Sequence, residues 1–94
     1  MTKIGLSTKD IKRLAQTLGA TLQHIDSLEG FEIWLRRQPS VVSVKTADYL
    51  IKTEPPRKEV AVTFQMHDGS TATHVIIVIL NPDQTFGFAG MRKP

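Results

Sequence analysis

The sequence contains no cysteine, which excludes a disulfide framework and a zinc–thiolate site and leaves histidines and carboxylates as the candidate metal ligands. Long apolar runs are also missing. The longest, Val75 to Leu80, is far short of the roughly 20 residues that a membrane-spanning helix needs. Charges interrupt the N-terminal residues MTKIGLSTKDIKR before any apolar stretch of signal-peptide length, so the expected location is the cytoplasm, with no membrane partner. The six glycines are scattered, with no Gly-rich run ahead of a helix to cradle a phosphate, and no serine stands in a Gly-x-Ser-x-Gly elbow. Nor is there a large excess of one charge. Twelve basic and nine acidic residues give a net charge of +3, and neither half of the chain carries most of it. A nucleic-acid footprint usually gathers Lys and Arg on one face.

What is present suits one small domain spanning residues 1–94. A chain of this length buries about 60–65% of the surface it exposes when unfolded and has little room for an enclosed active site. Ser7 or Thr8 can cap a first helix, with Asp10 in its positive first turn. Ile11, Leu14, Ala15 and Leu18 share one helical stripe, and Gly19 is the expected stop. A second helix is expected to begin near Asp26 or Ser27 and to end before Pro39. Its buried stripe is Leu28, Phe31 and Leu35, widened by Ile33 and Trp34, with Glu32 and Arg36 paired on the solvent side. Residues 20–25 read equally as strand, loop or an extension of the second helix.

From Val41 onward the pattern becomes β. VVSV and Tyr49-Leu50-Ile51 precede Pro55-Pro56, which cannot donate to a ladder and reads as a rigid connector. Residues 58–66, 74–80 and 85–88 then alternate as antiparallel strands joined at Asp68-Gly69 and at Asn81-Pro82-Asp83-Gln84. Arg92-Lys93-Pro94 reads as a frayed tail. The expected fold is α+β: two N-terminal helices, then an antiparallel meander of about four strands, with the second helix packed on one sheet face.

A two-residue turn at Asp68-Gly69 would set Phe64 against Thr73, Val62 against Val75 and Val60 against Ile77. Leu80 against Thr85 would then bring Phe86 beside Ile79 and Phe88 beside Ile77, completing the core face. The opposite face would carry Ala61, Thr63, His74, Ile76 and Val78, with Leu80, Gly87 and Ala89. Such a face must be covered by the first helix, form a homodimer interface, or receive a partner protein or extended ligand. In this register His67 and His74 stand about 13 Å apart, too far for one metal ion. His74 is expected to be a packing residue, and neither metal nor cofactor is expected. Glu29 and Glu32 have arginine neighbours that explain them structurally.

A sharper local pattern runs from Leu14 to Glu29, where Ala15, Gly19, Thr21, Ile25 and Leu28 fall at the small, turn, hydroxyl and aliphatic positions of a helix-turn-helix. The stretch resembles the helix-turn-helix of phage-repressor-type regulators. That resemblance implies Thr21, Gln23, His24 and Ser27 near base edges and Lys12, Arg13 or Arg36 near phosphates. It departs from the pattern at Leu22, which would be exposed, at Asp26, which would face a polyanion, and in having no helix before Lys9.

The sequence therefore points to a small non-enzymatic binding protein, an accessory, regulatory or inhibitory subunit acting through a protein partner or a homodimer. Its contact surface would be the face carrying Ala61, Thr63, His74, Ile76 and Val78, or a sheet edge. The alternative is a DNA-binding regulator using residues 9–28, with contacts from Lys12, Arg13, Thr21, Gln23 and His24.

Overall fold

The computed structural model describes residues 5–94. Two helices, α1 (Thr8–Leu22) and α2 (Leu28–Arg36), precede four strands, β1 (Val41–Thr46), β2 (Arg57–Gln65), β3 (Thr71–Leu80) and β4 (Phe86–Arg92). The strands form one antiparallel sheet in the order β1-β2-β3-β4.

Ser7 starts α1 through a capping box: its hydroxyl accepts from the Asp10 amide at 3.2 Å, and the Asp10 carboxylate accepts from the Ser7 amide at 2.9 Å. The helix does not stop at Gly19. It runs unbroken to Leu22, because Leu18 and Leu22 continue the buried stripe begun by Ile11, and their burial outweighs the modest helix cost of one glycine. Gly19 lies against β4, where an added Cβ would be 3.9 Å from the Phe88 Cβ. Residues 23–27 form the connection, and Ser27 caps α2 by accepting from the Gly30 amide at 2.9 Å. Phe31 and Leu35 are buried while Ile33 is exposed. Glu32 pairs with Arg36 at 3.8 Å and also accepts from the Thr46 hydroxyl of β1, so this ion pair lies at the helix–sheet seam.

Helix α1 packs against β4 and α2 against β1. Both lie on the same side of the sheet, where Ile11, Leu18, Leu22, Phe31 and Leu35 form one core with Val44, Val60, Val62, Phe64, Ile76 and Val78. Among the described residues no helix covers the other side.

The strand register differs from the two-residue-turn expectation by one position. Val60 stands opposite Ile76, Val62 opposite His74 and Phe64 opposite Ala72. The reason is the loop, which comprises His67, Asp68 and Gly69: the Met66 amide donates to the Ser70 carbonyl at 2.8 Å, and the Gly69 amide donates to Met66 at 3.0 Å with φ +91°. The second hairpin repeats this bonding, Asn81 to Thr85 at 3.0 Å and Gln84 to Asn81 at 3.1 Å, with Gln84 at φ +69°. In each loop an aspartate locks the turn: Asp68 accepts from the Ser70 amide and hydroxyl, and Asp83 from those of Thr85.

Each hairpin thus slips by one residue relative to expectation, and the two slips cancel at β4. Phe86 and Phe88 remain on the core side, opposite Leu80 and Val78, and only β3 turns over. A bulge in β4 at Ala89, opposite the Ile77–Val78 step, then places Met91 on the core side, opposite Ile76, and Arg92 on the far side, opposite Val75. Arg92 is a strand residue, not part of a frayed tail. Residues 47–56 form no strand beyond an isolated bridge between Ile51 and Arg57.

Candidate binding surface

The uncovered side of the sheet is built from alternate residues of each strand. Strand β1 contributes Ser43 and Lys45, β2 contributes Arg57, Glu59, Ala61 and Thr63, and β3 contributes Thr73, Val75, Ile77 and Ile79. Strand β4 places glycines here, Gly87 opposite Ile79 and Gly90 opposite Ile77, followed by Arg92 opposite Val75. The Ile79 side chain lies against Gly87, where an added Cβ would be 3.6 Å from its Cδ1, and the small residues Ala89 and Gly90 form the bulge opposite Ile77. The hydroxyls of Thr63 and Thr73 pair across the strands at 2.9 Å.

One end of this face is polar. The Tyr49 hydroxyl donates to Glu59 at 2.7 Å, and the Arg92 guanidinium bonds to the other carboxylate oxygen. These groups wall a depression of about 480 Å³ that includes Lys45, Ala61 and Val75 and no helical residue. The hydrogen bonds from Tyr49 and then Arg92 hold the Glu59 carboxyl below its ordinary range, while Glu59 pushes the Tyr49 phenol up. Near neutral pH the carboxylate is charged and the phenol protonated. Together with the Ala47 amide, which donates to the Glu59 carbonyl at 2.9 Å, they tie the β1–β2 connection onto the sheet.

The residues expected to share this face are divided. Ala61 and Thr63 lie on it. Ile76 and Val78 are 0% exposed on the core side, because the one-residue slip exchanges the two faces of β3. His74 also turns inward, its ring edge-on to Phe64 with centroids 6.0 Å apart. Burial, and secondarily Lys93, pushes its pKa below the ordinary histidine value. The residues missed are Val75, Ile77, Ile79, Glu59 and Arg92. The signal that could have found them is the repeated Asp-x-Ser/Thr spacing, Asp68 to Ser70 and Asp83 to Thr85, which marks the side-chain-locked turn at both loops.

The helix-turn-helix residues do not assemble into that motif. Gly19 and Thr21 sit inside α1, and Gln23 and His24 follow it in the connection, so no recognition helix begins at Thr21. Lys12 and Arg13 project from the exposed side of α1, and Arg13 lies 3.9 Å from Asp10. Among the described residues no group of three metal-ligating side chains occurs, and no helix is long and apolar enough to cross a membrane.

No family model, curated protein or solved structure matches the chain.

Proposed function

We propose that this is a non-enzymatic, cytoplasmic binding protein that works through the uncovered face of its sheet, and that the occupant of that face is a second copy of the chain. The observation that carries this reading is the placement of both helices on one side, which leaves Ile77 and Ile79 of β3 half-buried with no helix over them, beside Val75, which is 7% exposed under neighbouring side chains.

Three further features favour a face-to-face contact between copies. The surface sets the apolar side chains of Ile77 and Ile79 beside the small residues Gly87, Ala89 and Gly90 of β4, so a second copy related by a two-fold axis can approach closely. Lys45 and Arg57 flank the apolar residues, and the Glu59–Arg92 pair bridges β2 and β4 across β3, so a small apolar centre is surrounded by polar groups. Finally, both edge strands carry irregularities, β1 between Val41 and Ser43 and β4 between Phe88 and Gly90, which disfavour strand addition at an edge.

The size of the face sets the strength. With about 3.3 Å per residue along β2 and β3 and about 4.8 Å between strands, each copy offers on the order of 500 Å². A total of about 1,000 Å² is at the lower end of specific interfaces, so the contact is a reversible one. A regulatory subunit that assembles and releases has this property.

The test is sedimentation of the natural chain and of Ile77→Glu over a concentration series. A reversible dimer that the substitution converts to a folded monomer supports the reading; a natural chain that stays monomeric throughout overturns it. The association should change little with salt, whereas phosphate-dependent DNA binding would weaken steeply.

A further inference from the structure

The N-terminal half of α1 and the ends of β3 and β4 enclose a groove of about 390 Å³ on the helix side of the sheet. Its walls are apolar, formed by Ile11 and Ala15 of α1, Met66 and Ala72 beside the first hairpin loop, and Met91 of β4. The rest of the lining is Thr8, Lys12, His74, Arg92 and Lys93, with no carboxylate among them. The volume is within the range of small-molecule sites.

His74 occupies the inner-face position where the core of β3 gives way to this groove; the next two inner positions, Ile76 and Val78, are fully buried. Arg92 is engaged by Glu59, whereas Lys12 and Lys93 make no ion pair among the described residues. They stand on opposite walls, one on α1 and one just after β4.

We propose that this groove binds a small amphipathic monoanion, an aliphatic carboxylate whose tail lies along Ile11, Ala15 and Met91 and whose carboxylate meets Lys12, Lys93 and the His74 imidazole. The apolar walls argue for a tail, since an inorganic anion would leave them in contact with water. The lysines and the lack of a carboxylate set the sign of the head group. Lowered as it is by burial and by Lys93, the His74 pKa must rise when an anion is placed between the two.

The probe is octanoate, titrated below its micelle concentration and followed by the His74 ring proton resonances, with octylammonium as the matched cation. Saturable binding of octanoate, an upward shift of the His74 pKa in its presence, and at least tenfold weaker binding of octylammonium are expected. Lys12→Glu, on an exposed helix position, should weaken octanoate at least tenfold, and Ala15→Phe, which fills the groove, should remove binding while leaving the circular dichroism unchanged. Absence of saturable binding, equal affinity for octylammonium, or unchanged affinity in Lys12→Glu would each overturn the proposal, and the folded state of Lys12→Glu is read from the same spectra.

Discussion

Val60 stands directly opposite Ile76, and both side chains are 0% exposed in the core, while the next residue, Ile77, lies on the uncovered side of the sheet opposite Glu59. Neighbours in sequence thus have unequal weight in folding. Truncating Ile76 to alanine removes buried methyl and methylene groups and leaves a cavity, at a cost of about 2–5 kcal/mol. Ile77→Ala, measured at a concentration where the chain is monomeric, should cost under about 1 kcal/mol. Urea unfolding of the two variants checks this, and equal losses would mean that β3 is covered on both sides.

Gln84 takes a left-handed conformation that the matching residue of the other hairpin, Gly69, adopts without a Cβ. A non-glycine residue there costs about 1–2 kcal/mol, partly offset by the larger chain entropy that glycine loses on folding. Gln84→Gly should therefore stabilise by roughly 0.5–1 kcal/mol, a rise in Tm of several degrees for a domain of this size. Gly69→Ala should lower Tm. A thermal melt in which Gln84→Gly is the less stable protein would contradict this account of the loop.

Replacing Ser7 by alanine removes the hydroxyl that accepts from the Asp10 amide. Loss of this cap should cost about 1 kcal/mol. Hydrogen exchange should show the first turn of α1 opening more readily, with the sheet amides changed only by the global loss; a uniform effect of larger size would mean that Ser7 has another role.

Stability should fall in two steps on acidification. His74 has a folded pKa below its ordinary 6.5. The unfolded chain therefore takes up this proton first, and stability drops as the pH falls from about 6.5 toward the folded value. Asp10, Asp68, Asp83 and Glu59 are all held below the ordinary carboxylate range by hydrogen bonds to their ionised forms. Their contribution is present above about pH 4 and is lost as the pH falls through the folded values. His74→Gln should abolish the first step in a series of urea midpoints between pH 5 and 8 and leave the second. An unchanged slope in that variant would assign the step to another group.

Much of this fold is legible in the residues. The cap at Ser7, the Phe31–Leu35 stripe, the start of α2 after Ser27 and the four-strand meander follow from local chemistry that packing does not oppose. The register of β3 is different. Residues 75–80 are apolar at every position, so their pattern is satisfied whichever side faces the helices, and only loop length decides. Asp68-Gly69 suggests a two-residue turn, while the Asp68–Ser70 bonds select the longer one. Because Phe86 and Phe88 stay inward in either register, they carry no warning of the slip. Gly19 misleads for a different reason: an added Cβ would make only ordinary contact with Phe88 at 3.9 Å, so the packing does not demand glycine there, and the burial of Leu18 and Leu22 carries the helix through a residue that reads in sequence as a stop. The pairing of Glu59 with Arg92 spans the sheet and has no local signature.

The most direct test of the central claim is the solution mass of three proteins over a concentration series: the natural chain, Ile77→Glu and Val78→Glu. The account predicts a reversible dimer for the natural chain, a folded monomer for Ile77→Glu, and an unfolded chain for Val78→Glu, whose position is 0% exposed in the core. A natural chain that remains monomeric at every concentration, or an Ile77→Glu protein that dimerises as before, would contradict it.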